Sequence, residues 1–486
     1  MEVSHPPIPT GTERSTAISD PPIEFGLWSL VPALLAVVLA FVTREAVFSL
    51  LVACIAGVLI AGDGLLGVPD LLQRAMGDAD FVWVLLVEIS IGVLVAFLLK
   101  SGATGQFTRL MQHRLRSARG VQLFGWLLGM LIFFSDYFSP LLTGPVMRPL
   151  TDRARISREK LAYICDSTSA PMCVLVPLSA WAVYIAGLLV GNGPIGDTTA
   201  ALGVFARSIG LNFYAILAVG MVGLIAAGVL PEFGPMRKAE RRAREENLPL
   251  AKGATPMMAV ELSDIEPAAQ ITKPRLLVNF ALPLATVVCV ALGSFLTTGK
   301  ARILEAFMLA ATVSGVALWL QGLAMKEVIA VATQGIKGVT PAVILLGLAF
   351  AIKLICKDLH TAEYVIHSAG AWLTPTLLPA LAFGVCAFIS FSTGTSWGTY
   401  AIAIPIFVPL ALEFSDGGLT MLVYGTVAAV AGGGVFGDHC SPLSDTTILS
   451  SFGAASDHVD HVKTQLPYAA TAATGALVLY ILLGLW

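Results

Sequence analysis

Long apolar runs recur along the whole sequence, and they constrain its fold more than any other feature. Eight runs of 17 or more mostly apolar residues lie at 27–43, 46–62, 81–99, 211–230, 276–297, 304–322, 340–356 and 466–486. A helix of that length crosses a bilayer core of about 30 Å, because each residue adds about 1.5 Å. Hydrophobic residues make up 56% of the chain and charged residues only 13%. We therefore expect an all-α polytopic membrane protein.

Three further apolar regions, 120–147, 161–190 and 371–455, are interrupted by polar residues, glycine and proline. A backbone that leaves the helix inside lipid exposes unpaired N–H and C=O groups, which are tolerated only within protein or beside water. A single kink would favour an ordinary structural helix. Here the interruptions coincide with acids in both halves of the chain, so we expect broken helices and re-entrant hairpins.

The basic residues predict the orientation of the chain in the membrane. Residues 100–119 and 148–160 each contain five Lys or Arg, and residues 231–275 contain eight. Cytoplasmic loops carry such an excess, so the segment between the first two loops enters the membrane and returns on the same side. The first half then makes an odd number of crossings. This predicts two inverted-topology repeats, 26–230 and 276–486.

The remaining segments are polar. Residues 1–25 are rich in proline and lack the apolar core of a signal peptide, so we expect a disordered N-terminal tail. Residues 231–275 predict a cytoplasmic linker with one helical stretch at 236–246. The seven cysteines lack metal-like or disulfide-like spacing. A net charge of −3, without a basic stripe carrying aromatic residues, gives no indication of nucleic-acid binding.

Four aspartates lie within the interrupted regions: Asp136, Asp166, Asp438 and Asp445. An ionised aspartate at the bilayer centre costs at least about 2.5–3.5 kcal/mol on insertion scales. Only Lys353 lies within a span to neutralise one of them, so most must face water or a cation.

Neutral oxygen ligands accompany these acids. The candidate hydroxyl residues are Thr168, Ser169, Thr393, Thr395, Ser396, Ser441, Thr446 and Thr447. Carboxylates, hydroxyls and freed carbonyls together replace the hydration shell of a small hard cation. The sequence predicts a Na⁺ site at Asp438, Ser441, Thr395 and Asp166. Because protons compete with cations for a buried carboxylate, the same site predicts antiport.

Five other ionisable side chains lie in or near the apolar regions. Glu88 lies in the middle of a span, where a proton-relay or substrate role and a structural hydrogen bond are equally favoured. Lys353 is interpreted as a charge partner of a site acid or of a substrate carboxylate. His439 is a candidate pH sensor, although a structural hydrogen bond is the commoner role. His458 and His461 are interpreted as solvated loop residues.

No resident cofactor is expected, and Na⁺ and H⁺ would be transported or coupling ions.

Several blocks of the sequence resemble the NhaC family of sodium/proton antiporters. They read SDYFSPLLTGPVMRPLTDRARISREKLAYICDSTSAP, KDLHTAEYV, FSTGTSWGTYAIAIPI, GDHCSPLSDTTILSS and DHVKTQLPYA. The resemblance implies a secondary transporter of a bacterial inner membrane that exchanges Na⁺ or Li⁺ for H⁺. It also implies inverted repeats, re-entrant hairpins, a homodimer among membrane lipids and an elevator-like movement. It assigns Asp136, Asp166, Asp438, His439, Asp445 and the surrounding hydroxyls to the transport core.

The same motifs distinguish between other functional classes. Related families couple Na⁺ or H⁺ to a small organic acid or amino acid, which is the alternative reading. Asp438, His439 and Ser441 contain the letters of a catalytic triad, yet near neighbours in sequence cannot converge as a triad does. An intramembrane aspartyl protease motif would need glycine at Val435. A channel filter would need repeated rings around an axis. We therefore expect no enzyme and no channel.

Overall fold

The computed structural model describes residues 25–485 except 44, 113, 116, 134–135, 178, 258–264, 270, 272–274, 299–301 and 370–373. Within these residues every regular element is a helix, and β geometry is confined to one isolated bridge between Pro256 and Asp457.

The helices are numbered in chain order. Those of the first half are α1 Val31–Thr43, α2 Ala46–Ala61, α3 Gly67–Met76, α4 Ala79–Lys100, α5 Ala103–Gln112, α6 Ala118–Leu131, α7 Phe138–Arg153, α8 Arg158–Ser167, α9 Ala170–Cys173, α10 Ala180–Leu189, α11 Thr198–Ser208, α12 Phe213–Ala226 and α13 Gly234–Glu245. Those of the second half are α14 Leu282–Thr298, α15 Ile303–Leu320, α16 Met325–Gly338, α17 Thr340–Asp358, α18 Thr361–Ala369, α19 Leu378–Thr393, α20 Ser396–Glu413, α21 Met421–Cys440, α22 Asp445–Ala454 and α23 His458–Gly484.

The predicted spans correspond to these helices. Seven helices of the described chain are long and apolar enough to cross a membrane, and α11 with α12 forms an eighth such unit, bent by 51°. Each of the eight apolar runs found in the sequence is helical over most of its length. The expected all-α polytopic membrane fold is confirmed. The inverted relation between the two halves stays a prediction, as do the domain boundaries.

The interrupted regions contain breaks between helices. Helix α6 ends at Leu131 and α7 begins at Phe138, and these two helices pack against each other as a hairpin. Thr168 and Ser169 separate α8 from α9. In the second half, Gly394 and Thr395 separate α19 from α20, and residues 441–444 separate α21 from α22. Whether any of these hairpins is re-entrant stays a prediction.

Two large apolar clusters form the core. One joins α1–α4 to α15–α17, and the other joins α10–α12 to α19–α21 and α23. Helix α22 lies at their boundary, because Ile448, Leu449 and Phe452 pack into the first cluster while α22 also contacts α7 and α8. Helix α22, from the second half of the chain, therefore packs against elements of the first half.

The three basic segments meet on one face of the protein. The Arg242 guanidinium contacts both carboxylate oxygens of Glu159, at 2.8 and 2.9 Å. The Ala268 N–H donates to the carbonyl of Lys100 at 2.8 Å. Helix α13 begins two residues before the predicted stretch and ends one residue earlier. The distribution of Lys and Arg in the sequence predicted that these three segments lie on the same side of the protein. The N-terminal tail lies outside the described residues apart from Phe25.

Candidate functional site

Two helix breaks of the second half touch each other. Gly394 has φ +69°, and a Cβ atom added there would lie 2.5 Å from the carbonyl oxygen of Leu443. Both the left-handed backbone and the close approach require glycine at this position. The Ser441 hydroxyl donates to the carbonyl of Phe391 at 2.6 Å, which links the same two breaks a second time. The polar residues that flank these breaks are therefore brought together.

Asp438 lies at the C-terminal end of α21, with 2% of its surface exposed. The Ser396 hydroxyl donates to Oδ2 at 2.7 Å, while the hydroxyls of Ser444 and Thr446 donate to Oδ1, the latter at 3.3 Å. The Thr447 hydroxyl donates to the main-chain carbonyl of Asp438 at 2.9 Å. Hydroxyl groups from three chain segments thus surround one buried carboxylate.

Asp445 and Asp136 lie beside this carboxylate. The Tyr137 hydroxyl donates to Asp445 Oδ2 at 2.7 Å, and the Thr446 N–H donates to Oδ1 at 2.8 Å. The negative charge of Asp445 acts on both Asp136 and Asp438. Asp136 is buried, and its Oδ2 has no hydrogen-bond partner within the described residues. Three of the predicted acids therefore share one electrostatic environment.

Asp166 lies at the end of α8, and the charge of Asp445 acts on it as well. Gln465 donates from Nε2 to Asp166 Oδ2 at 2.7 Å and also to the carbonyl of His439. His461 Nε2 lies 3.7 Å from the same carboxylate oxygen. Gln465 thus connects an acid of the first half to the end of α21. The structure groups Asp438 with Ser396, Ser444 and Thr446, and it places Asp166 with Gln465 and His461.

Several predicted hydroxyls bind main-chain carbonyls. Thr168 donates to Ile164 O at 2.8 Å, and Ser169 donates to Asp166 O at 2.7 Å. Thr393 donates to Ile389 O at 2.8 Å. The carbonyls of Ile164 and Asp166 also accept from the main-chain N–H groups of Thr168 and Ser169, so these hydroxyl bonds add to the main-chain bonds at the helix ends. Thr395 is half-buried between α19 and α20. The hydroxyl oxygens keep lone pairs, so they remain potential ligands of a cation.

His439 is fully engaged by two hydroxyl groups. Its Nε2 lies 2.8 Å from Ser167 Oγ and its Nδ1 lies 2.7 Å from the Tyr214 hydroxyl. One ring nitrogen of a neutral imidazole donates and the other accepts, so both contacts can be satisfied without a charge. This geometry supports a structural role.

Glu88 and Lys353 lie apart from the Asp438 cluster. Glu88 is completely buried in α4, and neither carboxylate oxygen has a hydrogen-bond partner in the described chain. Lys353 Nζ lies 4.9 Å from the centre of the Phe350 ring and forms no ion pair with a described residue. The structure therefore shows a cation–π contact for Lys353.

The prediction that His458 and His461 are solvated is wrong. Their exposed fractions are 3% and 0%, because α23 begins at His458 and turns both rings inward. Ser451 Oγ lies 3.0 Å from His458 Nδ1 and 2.8 Å from His461 Nδ1. One face of α23 carries His458, His461 and Gln465, because they are spaced at i, i+3 and i+7. This helical spacing in the sequence could have predicted that the three side chains point to the same side. Sequence reasoning also missed Tyr137, Ser167, Tyr214, Ser444, Ser451 and Gln465.

Comparison with known proteins identifies the family. Residues 172–485 match the family described as the Na⁺/H⁺ antiporter family. The chain belongs to this Na⁺/H⁺ antiporter family. The expected NhaC resemblance fits this assignment and is confirmed at that level. This member of the Na⁺/H⁺ antiporter family is therefore a secondary transporter and a multi-pass integral membrane protein, and it is not an enzyme.

Three relatives of this family member differ in how much they share with it. An uncharacterised protein of Haemophilus influenzae is 35% identical and covers 94% of this chain and 91% of its own. An uncharacterised Na⁺/H⁺ antiporter of the same organism is 33% identical over 26% of each chain. The arginine/ornithine antiporter ArcD of Halobacterium salinarum is 29% identical over 30% of this chain and 29% of its own.

Proposed function

We propose that the protein exchanges Na⁺ or Li⁺ for H⁺ across a bacterial inner membrane by alternating access with an elevator-like movement. One observation carries this proposal. Asp438 is buried among the hydroxyls of Ser396, Ser444 and Thr446, with the charge of Asp445 acting on it. Neither Asp136 nor Asp438 forms an ion pair with a lysine or arginine of the described residues. Such a group of oxygens attracts cations.

The ligand chemistry suits a small hard cation that is only transiently held. Within the described residues, no three Asp, Glu, His or Cys side chains converge closely enough to hold a metal ion. A transported Na⁺ would therefore take most of its ligands from hydroxyl and carbonyl oxygens beside Asp438. Weak neutral ligands favour release, which a transport cycle requires.

Proton exchange follows from the same hydrogen bonds. In the structure, three hydroxyls donate to the carboxylate of Asp438. Protonation of this carboxylate would turn one oxygen into a donor, and binding of Na⁺ would turn the hydroxyl lone pairs toward the cation. The two ligands thus need different hydroxyl orientations, so they exclude each other at one carboxylate.

Reconstituted vesicles provide the test. We expect a sodium gradient to drive a change of internal pH in proteoliposomes that contain the wild-type protein. Asp438→Asn should abolish this change, because the amide carries no charge to exchange. Asp70→Asn is the matched control, since Asp70 is exposed on α3. Sodium-driven pH change that persists in Asp438→Asn would remove Asp438 from the exchange site.

The second candidate function is Na⁺- or H⁺-coupled transport of a small organic acid or amino acid. The shared segment with an arginine/ornithine antiporter favours it. The carboxylates at the candidate site would attract the cationic group of an amino acid. An organic acid is less favoured, because Lys353 contacts Phe350 and not the Asp438 cluster.

A ligand screen separates these two functions. The melting temperature of the purified protein would be measured with amino acids and dicarboxylates, each with and without Na⁺. An increase that requires both Na⁺ and an organic ligand would favour the second candidate. An increase with Na⁺ or Li⁺ alone would favour simple cation exchange.

A further inference from the structure

A cavity of about 660 Å³ lies where α6 begins, α12 ends and α13 passes by. Its lining includes Arg119 and Gln122 of α6, Gly228 after α12, and Arg244 of α13. A second cavity of about 360 Å³ shares Ser117 and Ala118 with the first and is lined by Arg153. Both cavities are lined by residues of the basic segments, namely Arg119, Arg153 and Arg244.

The charges around this cavity are predominantly positive. Arg119 lies over the main chain of Gly228, since a Cβ atom there would be 2.7 Å from its guanidinium carbon. Neither Arg119 nor Arg153 forms an ion pair with a described residue. Glu232 also lines the cavity, but it is already paired with Lys160 Nζ at 2.8 Å.

Arg244 is only partly neutralised. Its guanidinium lies 3.1 Å from Glu240, whose other oxygen accepts bonds from the main-chain N–H and the hydroxyl of Ser157. The side chain of Arg244 remains 55% exposed. The cavity therefore offers two guanidinium groups to an anion.

Two further groups face this cavity. In the first turn of α6 the Ser117 hydroxyl accepts from the Gly120 N–H at 3.0 Å, while the N–H groups of Ala118 and Arg119 have no acceptor within the described residues. Two N–H groups at a positive helix end are a combination that binds phosphate. Gln122 is 3% exposed, and its Oε1 has no hydrogen-bond partner among the residues described. A buried acceptor without a donor costs about 1–3 kcal/mol, so a ligand that supplies a donor is favoured.

We propose that this cavity binds a phosphoglycerol group, meaning a phosphate ester that carries a free hydroxyl. Arg119, Arg244 and the first turn of α6 hold the phosphate oxygens. A glycerol hydroxyl donates to Gln122 Oε1. The headgroup of phosphatidylglycerol has this chemistry, and so does soluble glycerol 3-phosphate. Basic pockets between helices on the cytoplasmic side of membrane proteins bind anionic headgroups in the same way.

Lipid titration of the full-length protein in detergent tests the phosphate contacts. Binding of phosphatidylglycerol and phosphatidylcholine would be counted by native mass spectrometry. We expect phosphatidylglycerol to bind more tightly, and Arg119→Gln to weaken it about 10-fold, which is the loss of one charge-assisted contact. Arg119→Lys should give an intermediate loss, because it keeps the charge without the forked geometry.

The matched control is Arg241→Gln. Arg241 lies on the same helix as Arg244, is 74% exposed and contacts only Glu245 at 3.7 Å within the described chain. It should leave phosphatidylglycerol binding unchanged. Equal binding by the wild type and Arg119→Gln would overturn the proposal, provided that both proteins melt at the same temperature without lipid.

Two more arms test the hydroxyl contact and the source of the ligand. Wild-type protein should prefer phosphatidylglycerol to phosphatidic acid, which lacks the headgroup hydroxyls, and Gln122→Leu should remove this preference. A preference that survives Gln122→Leu overturns the assignment of Gln122. Binding of glycerol 3-phosphate that depends on Arg119 would identify a soluble ligand, whereas binding of the lipid alone would identify the membrane. If neither phosphatidylglycerol nor glycerol 3-phosphate binds, the proposed site is wrong.

Discussion

Tyr137 donates its phenolic hydrogen to Oδ2 of Asp445 at 2.7 Å, and this bond joins residues 308 positions apart in the chain. It links the turn after α6 to the first residue of α22. The ring of Trp83 packs edge-on against Tyr137, with 5.6 Å between ring centres, so α4 supports the same contact. An acid of the second half is therefore oriented by side chains of the first.

Tyr137→Phe should reduce the apparent affinity for Na⁺. The change removes one donor to a carboxylate while it preserves the ring, and a hydrogen bond to a charged group contributes about 1.5–3 kcal/mol. We expect the KM for Na⁺ to increase by about 10-fold in proteoliposome assays. Tyr364→Phe is the control and should behave as the wild type. An unchanged KM in Tyr137→Phe would show that this bond does not contribute to cation binding.

Gln465→Leu should impair exchange more than stability. Asp166 Oδ2 and the His439 carbonyl both lose their donor, and the two segments that Gln465 connects are released from each other. We expect initial rates of sodium-driven pH change to fall by about 10-fold or more. Gln73→Leu is the matched control, because Gln73 is an exposed residue of α3. Wild-type rates in Gln465→Leu would argue against a functional link between Asp166 and α21.

His439→Ala should act mainly on stability. The change leaves the hydroxyls of Ser167 and Tyr214 buried without their partner and removes ring volume from the core. Unfolding should become easier by about 2–4 kcal/mol, which a lower melting temperature would reveal. His367→Ala, at an exposed position of α18, should have no such effect. If His439 instead sensed pH, the variant would shift the pH profile of exchange.

Gly144→Ala should separate α7 from α22. A Cβ atom at Gly144 would lie 2.3 Å from the main-chain carbonyl carbon of Gly453, which is closer than side chains can approach. We expect lower yield of folded protein and a lower melting temperature, because the two backbones must move apart. Gly187→Ala is the control, since a Cβ there meets nothing within 4 Å. A normal melting temperature in Gly144→Ala would mean that α7 and α22 are less closely packed than described.

Arg242→Gln should loosen the linker from the start of α8. Arg242 contacts both oxygens of the buried Glu159 and also the carbonyls of Leu248 and Pro249. Loss of one partner from a largely buried ion pair costs about 3–5 kcal/mol. Limited proteolysis should cut the 231–275 segment faster in Arg242→Gln than in Arg241→Gln. Equal rates would contradict a tightly attached linker.

The spans were predictable from the sequence because lipid imposes one simple rule on them. A run of apolar residues such as 340–356 can satisfy its backbone only as a helix, whatever its neighbours are. The positions of breaks near Gly394 and Ser441 were predictable for the same reason. Local composition decides both, so no tertiary information was needed.

The partners of the site acids were not predictable in this way. Ser444 and Gln465 are ordinary polar residues in sequence, and only the fold brings them to Asp438 and Asp166. His458 and His461 were misplaced because their segment is polar, which on average indicates a solvated loop. Their burial depends on how α23 packs against α22, a long-range contact that composition does not encode.

The contact between Gly394 and the carbonyl of Leu443 has a mechanical consequence. With no side chain between them, the two bends form a single joint, and neither can shift without displacing the other. Ser396 follows one of these bends and Asp438 precedes the other, and the hydrogen bond between them ties the two ligand groups together. A cation bound beside Ser396 and Asp438 would therefore keep both ligands throughout the exchange that we propose.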